Sequence, residues 1–450
     1  MRHYIIQDPL HEYAVELMKR IQKRFGYAPI CIFTDPKQRY YHERRFPDIA
    51  ALAPDTRFEA ARADFPELAA RLRSKYDDIA GIVPVNDKDL DDAPRLIELF
   101  GLEWNPPEVI ARFRDKSAFK IHLAARSPGL RLNKNFLVRG PADLEADLPE
   151  RFVLKPNDGH SSIGVGVFSR GTSKADLARF LSGHPGRTFI LEEFVEGTLY
   201  AVDGQVDEAG RVWVASIFTS GRASANGSDV VYSDGWLIHQ DTPLFRRLED
   251  YARAVLSASG LRRCPFHMEV MVDAEGPCLI EASCRLVGHL HAKTCALVHR
   301  GRFDPFAAAA HGYLSPEPYG DPGFDWDYYN SVSAMKVYGV TSKAGLVGRV
   351  AGVEEVEGLP EFRYWIVKPA AGRVIEPTTN LTTVPYSLVL LGQGTLAELR
   401  AAGDRVHRAL AFDVDGPWPA RCARLLANSL QLLRLRAGWV ARLALRAVKS

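Results

Sequence analysis

Residues 151–168, RFVLKPNDGHSSIGVGVF, constrain the chain more than any other stretch: they ask for a strand, a Gly/Ser loop and a second strand, with one lysine at the loop's base. Phe152 and Leu154 alternate with Val153 and Lys155, and Pro156, which has no amide hydrogen for a ladder, ends the run. Beyond the loop, Ile163, Val165 and Val167 share one face while Gly164 and Gly166 leave the other bare, so that something can approach the backbone closely. A polyphosphate fits that description. Consecutive backbone N–H groups from Gly159 to Gly164, with the hydroxyls of Ser161 and Ser162, would cradle phosphate oxygens, and Lys155 would add a point charge. A plain Gly/Ser hairpin turn fits the same letters. The string is not a P-loop, because Gly164 is followed by Val165 rather than Lys-Ser/Thr, and it lacks the GxGxxG of a dinucleotide site.

A chain of 450 residues with 46% hydrophobic content can bury a large core and should divide into two to four units of roughly 100–200 residues. Its 57 basic and 55 acidic residues give no overall electrostatic case for nucleic acid. Met1-Arg2-His3 runs straight into a strand-like segment, and nowhere do about 18 apolar residues follow one another, so a cytoplasmic enzyme is expected. The cysteines (Cys31, Cys264, Cys278, Cys284, Cys295 and Cys422) lack CxxC spacing and read as reduced, mostly buried thiols. A zinc site among Cys264–Cys295 and the histidines between them is opposed by the absence of any ligand pair on a short loop.

The N-terminal hundred residues alternate strand and helix: a strand at 3–7, a helix at 12–25, a strand at 29–34, a helix at 66–76 and a strand at 79–85. This β-α-β pattern predicts a parallel sheet with helices on its faces. Asn86 and Asp87 end the last strand where open α/β sheets present ligand contacts, and equally where a helix N-cap would stand. A short helix at 93–100 is stopped by Gly101. The next helix sets Lys116 one turn before Lys120, on a face that looks either toward a nucleotide or into solvent.

Further on, FILEEF is an apolar strand ending in Glu192 and Glu193, where a free strand edge could pair with adenine and a glutamate could accept from its amine; a solvent-facing acid pair reads as well. Residues 220–241, rich in Gly, Ser, Asn and Asp without clear periodicity, read as a loop or lid that meets substrate. The strongest chemical signal is HMEVMV, a DAEGP turn, then CLIEASCR. A five-residue turn puts Glu269 directly opposite Glu281, with side chains about 5 Å apart. Two carboxylates so placed repel unless a cation lies between them, and magnesium suits oxygen ligands that share it with phosphate. Two surface glutamates are the alternative. Arg285 could clamp a phosphoryl group or carboxylate through two parallel hydrogen bonds. Beyond Met335 a third unit begins, with strand-like runs and a helix at 395–411. The tail from Trp418 to Ser450 is helical in pattern and basic; it suits a membrane or partner surface, or its Leu face packs on its own domain.

Taken in order, these residues resemble the ATP-grasp superfamily, and within it the carboxylate–amine ligases, most of all the L-amino-acid ligases that make dipeptides. The resemblance covers about residues 1–400: the N-terminal α/β segment, the helix with Arg114, Asp115 and Lys116, Lys155-Pro156 with the glycine loop, 192–195, and Glu269/Glu281/Arg285. It implies that Lys116 and Lys155 bind nucleotide phosphates under a mobile loop with Gly159, Ser161, Ser162 and Gly164, and that Glu192, Glu193, Phe194 and Val195 frame adenine. It implies further that Glu269 and Glu281 hold magnesium, or manganese in its place, that Arg285 steadies the transferred phosphoryl group, and that His289 and His291 meet the first substrate. Two positions depart from the family pattern. Ser283 stands where asparagine is usual, a shorter ligand that reaches the metal through water, and Leu199 stands where a ribose-binding glutamate is usual, leaving Glu196 for that contact.

The implied fold is α/β and α+β in several domains, an ATP-grasp fold behind an N-terminal parallel-sheet domain. Its units are 1–110 (pre-ATP-grasp), 111–195 (small lobe with the phosphate loop), 196–335 (large lobe with the metal site), 336–415 (C-terminal lobe) and 416–450 (basic tail). The implied activity uses ATP and Mg2+ to convert a carboxylate into an acyl phosphate and join it to an amine, giving an amide or dipeptide. The partners are then small-molecule carboxylates or amino acids and amines, without nucleic acid; a homodimer is compatible with this. A peptide or specialised amine as acceptor, and a non-catalytic nucleotide-binding protein, are the alternatives.

Overall fold

Alternating apolar strands and amphipathic helices build the N-terminal segment. The computed structural model describes all residues except 10–11, 35–45, 146–147, 160–161, 289–290 and 416–450, so the readings of Ser161, His289 and the basic tail fall outside the described residues. His3–Gln7, Ala28–Phe33, Arg57–Glu59 and Ile79–Val83 form one sheet in the order third, second, first, fourth, with every pairing parallel. Tyr4, Ile5, Ile6, Ile30, Ile32 and Phe33 are all fully buried, as parallel strands with both faces covered require. The last strand stops at Val83, two residues earlier than its apolar run, because the amides of Val85 and Asn86 both donate to the Asp89 carboxylate at 2.9 Å. That turn also starts the following helix at Asp89 instead of residue 93, and Gly101 closes it at φ 65°. The next helical stretch is two helices, Pro107–Arg114 and Lys116–Arg126. Asp115 between them is extended and accepts from the Ala118 amide at 2.8 Å, an N-cap that separates Arg114 from Lys116.

The strand-loop-strand stretch lies in an antiparallel sheet ordered Asn135–Val138, Phe189–Glu193, Arg151–Pro156, Gly166–Ser169. Phe152, Leu154, Leu177, Phe189 and Leu191 form its core. The bare face of Gly166 has a different use from the one expected: a Cβ there would stand 2.6 Å from the Phe168 ring and 2.9 Å from that of Phe180, so the glycine admits the protein's own aromatics. At Gly164, φ 75°, the neighbour is His184.

A second antiparallel sheet runs Val212–Thr219, Thr198–Val206, Cys264–Asp273, Gly276–Ser283. Its last hairpin closes at Asp273 opposite Gly276, a turn tighter than DAEGP. Carried on without interruption, that register would set Ile280 opposite Glu269. A bulge between the Val270–Leu279 and Glu269–Glu281 pairs absorbs Ile280 and restores Glu281 to Glu269.

Residues 220–241 are largely ordered strand. Gly221–Ala225 and Ser228–Ser233 form a hairpin around Asn226 and Gly227, at φ 52° and 77°. Asn-Gly is the residue pair that a two-residue turn with both φ positive demands, a cue that outweighs the polar composition. Contacts divide the chain into two units, Met1–Arg222 with Gly235–Ala334, and Ala223–Asp234 with the chain from Met335 on. In the second unit Met335, Val337, Leu388, Leu390, Leu399 and Val406 make the core, and the Leu396–Ala409 helix starts on a Thr395/Glu398 capping box. No helix among the described residues is long and apolar enough to cross a membrane.

Candidate active site

All the candidate residues described here belong to the first unit. Glu192 points inward from the Phe189–Glu193 strand and is 1% exposed. Lys120 Nζ donates to its Oε1 at 2.6 Å, Lys155 Nζ lies 2.8 Å from its Oε2, and Lys120 also donates to Asn133 Oδ1 at 2.5 Å. Burial alone would raise the Glu192 pKa, but the two lysines outweigh it and bring it to about 2. Burial also opposes the charge on both lysines. At Lys155 the carboxylates of Glu192 and Glu281 prevail and hold the pKa above its ordinary value, whereas at Lys120 burial prevails and lowers it. Each Glu192 oxygen is engaged by a lysine, so the carboxylate fixes two lysine heads.

Glu192→Ala should therefore destabilise the protein by about 3–5 kcal/mol, because it leaves the buried Lys120 ammonium without its carboxylate and Lys155 with one carboxylate fewer. The sign with pH follows from the depressed value. The contribution is complete above about pH 4.3, the unfolded value, and is lost as pH falls through about 2. Melting temperatures of both proteins across that window check this; parallel curves would contradict it.

The neighbouring residues 193–196 are set by local contacts. The Glu193 amide donates to Lys134 O at 2.8 Å and its carboxylate Oε2 accepts from the Lys134 amide at 3.3 Å, the Arg151 guanidinium lies 4.1 Å over the Phe194 ring, Val195 is buried, and Glu196 is exposed 3.6 Å from Arg151. At the glycine loop, the Gly159 amide donates to Pro156 O at 3.0 Å and so is closed within its own turn. The phosphate cradle proposed for Gly159–Gly164 thus loses its first amide. The Gly159 carbonyl instead accepts from Lys116 Nζ at 2.7 Å, tying that lysine to the loop. Ser162 stands at φ 57°.

Glu269 and Glu281 face each other across the hairpin. Lys116 Nζ lies 3.5 Å from Glu281 Oε1, and Lys155 Nζ donates at 3.1 Å to the carbonyl of Ile280, the bulged residue. Arg222 Nη2 lies 3.3 Å from Glu269 Oε1. Beyond them, Asp87 from the end of the N-terminal sheet accepts from Arg285 Nε at 2.9 Å and from Arg285 Nη2, and Ser283 Oγ donates to the same carboxylate at 2.8 Å. Burial would raise the Asp87 pKa, but the Arg285 guanidinium holds it well below the usual carboxylate range. The structure thus gives Ser283 a partner other than a metal. On the same face His267 Nδ1 is 2.7 Å from Asp203 Oδ1, and that carboxylate overcomes burial to raise the histidine's pKa. His291 opens the His291–Val298 helix.

Among the described residues no group of three or more His, Cys, Asp or Glu side chains gathers as a ready metal cage. Two opposed carboxylates nonetheless fit magnesium, which keeps several waters and takes further oxygens from substrate phosphate. Of the residues that sequence reasoning left out of the site, Lys120 was visible at one helical turn from Lys116, and Asp87 by its place after a parallel strand. Asp203 and Arg222 carry no comparable signal.

The cationic cluster around the opposed acids lies on an antiparallel sheet next to a glycine loop, in a chain that has the ATP-grasp fold and whose residues 148–293 match the ATP-grasp domain family. Among solved structures, the chain resembles the L-amino acid ligase from Bacillus licheniformis with a TM-score of 0.71 and 16% identity, over 92% of this chain and 99% of that one. Phosphoribosylglycinamide synthetase from Anaerococcus prevotii (TM-score 0.63, 13% identity, 92% and 100% covered) is similar too. So is N5-carboxyaminoimidazole ribonucleotide synthetase from Thermotoga maritima (TM-score 0.63, 14% identity, 92% and 100% covered). Dapdiamide A synthase from Enterobacter agglomerans is 31% identical over 106 residues, a match that spans 24% of each chain.

Proposed function

We propose that the protein is an ATP-dependent carboxylate–amine ligase. A substrate carboxylate oxygen attacks the γ-phosphorus of ATP, the bond to ADP breaks, and an amine then displaces phosphate from the acyl phosphate to leave an amide. The observation that carries this is the Glu269–Glu281 pair with Lys116 and Lys155 held beside it and Arg285 beyond. Phosphoryl transfer depends mainly on positioning and charge neutralisation, so it needs this gathering of cations and no nucleophilic side chain. Lys116 and Lys155 bind phosphate oxygens, Glu269 and Glu281 would hold magnesium, or manganese in its place, and the chemistry such an ion supplies is neutralisation of charge on the phosphates. An amino acid as carboxylate and a second amino acid as amine, in the cytoplasm, is the reading favoured by the likeness to L-amino acid ligase and dapdiamide A synthase.

The test is ADP release from Mg-ATP with amino acids supplied singly and in pairs, with mass spectrometry of the products. Heavy oxygen placed in the substrate carboxylate should appear in the released phosphate, since the acyl phosphate transfers that atom. A condensed product without label transfer would refute the acyl phosphate; nucleotide binding with no ADP release against any amine or peptide would favour a non-catalytic nucleotide-binding protein.

A further inference from the structure

The opposed glutamates already carry one counter-charge each. Lys116 Nζ lies 3.5 Å from Glu281 Oε1, and on the other acid Arg222 Nη2 lies 3.3 Å from Glu269 Oε1. Lys116 is also fixed by the Gly159 carbonyl, while Arg222, on the first residues of the Gly221–Ala225 strand, is steadied by the Ser220 hydroxyl at 3.1 Å from Nη1. The side chains of Arg222 and Glu269 are about one-fifth exposed, so the pair is partly shielded yet open to exchange. With Lys155 close by as well, the two carboxylates are already at least balanced by organic cations. A divalent ion bound by both glutamates supplies that counter-charge itself and leaves two surplus positive groups beside it, a repulsive arrangement unless an anion arrives with it. A polyphosphate is such an anion, and a guanidinium presents the paired N–H groups that match phosphate oxygens.

We propose that Arg222 is a phosphate-binding residue which rests on Glu269 until a divalent cation takes over that carboxylate, and then turns its guanidinium to the polyphosphate. This rests on the nucleotide-site reading above. It assigns a second function to a strand that would otherwise serve only as one arm of a hairpin, and it makes metal and nucleotide cooperative: each removes an obstacle to the other.

Two binding measurements on the full chain test it, with Arg222→Ala and the charge-conserving Arg222→Lys, both checked for an unchanged melting temperature. Manganese titrated alone and followed by electron paramagnetic resonance should bind Arg222→Ala about twofold to fivefold more tightly than wild type, because a competing cation is gone. A non-hydrolysable ATP analogue with magnesium should bind Arg222→Ala about tenfold or more weakly, with Arg222→Lys between, while AMP binding stays unchanged. A purely structural arginine would not move the two affinities in opposite directions. Wild-type binding of both ligands, with Arg222→Ala indistinguishable from it, overturns the proposal alone; wild-type protein that binds no nucleotide overturns the functional reading and the proposal together.

Discussion

Glu281→Gln should remove ATP-dependent turnover by about a hundredfold or more while leaving the fold in place. Glutamine keeps the size of the side chain and its place opposite Glu269, so the hairpin register is preserved. What it removes is one of two charges available to a divalent ion, together with the counter-charge 3.5 Å from Lys116 and near Lys155. The side chain is 30% exposed, so the effect on stability should stay within about 1 kcal/mol. ADP release and a melting curve on the same preparation check both halves; turnover near wild type would sink the assignment of the site.

Asp87→Ala should cost both stability and turnover. The carboxylate takes two hydrogen bonds from Arg285 and one from Ser283, and both members of the ion pair are close to seven-eighths buried. Removing it leaves a guanidinium with only the Leu286 carbonyl, at 2.8 Å, among these partners, and an uncompensated buried charge costs about 3–5 kcal/mol. Freed from Asp87, Arg285 also loses the orientation that would aim it at a phosphoryl group, so turnover should fall even where the variant remains folded. Asp87→Asn, which keeps one acceptor, should fall between. Because the folded pKa lies well below its ordinary value, the Asp87 contribution is complete above about pH 3.9 and is lost as pH falls below it. Wild type should therefore lose more of its melting temperature on acidification than Asp87→Ala does; equal losses would refute the pairing.

The parts of the fold set by local chemistry were legible from the chain. The parallel N-terminal sheet followed from apolar runs alternating with amphipathic helices; the opposition of Glu269 and Glu281 was legible as a pair on one hairpin, although a two-residue turn and a bulge produce it rather than the five-residue turn expected. Long-range partners were not. Nothing near Glu192 reveals that Lys120 and Lys155 will close on it from another helix and strand, and nothing near Arg285 names Asp87, some two hundred residues earlier. Glycines misled where the approaching group was internal, as at Gly166, and polar composition misled at 220–241, where Asn226-Gly227 held the better signal.

The bulge at Ile280 has a numerical consequence. Between Glu269 and Glu281 lie 281 − 269 − 1 = 11 residues, an odd number. A regular ladder uses residues in pairs, so a two-residue turn can close only an even count; the leftover residue has to leave the ladder somewhere. Here it leaves beside the acid, and its carbonyl becomes a hydrogen-bond acceptor for Lys155. An odd spacing can be closed in two ways, by a turn with an odd number of residues and a regular ladder or by the two-residue turn and bulge seen here, and only the second takes the Ile280 carbonyl out of the ladder for Lys155. Lengthening the turn itself leaves the bulge and the Glu269–Glu281 pair in place, whereas removing one residue between Leu279 and Glu281 dispenses with the bulge and with the Lys155 acceptor.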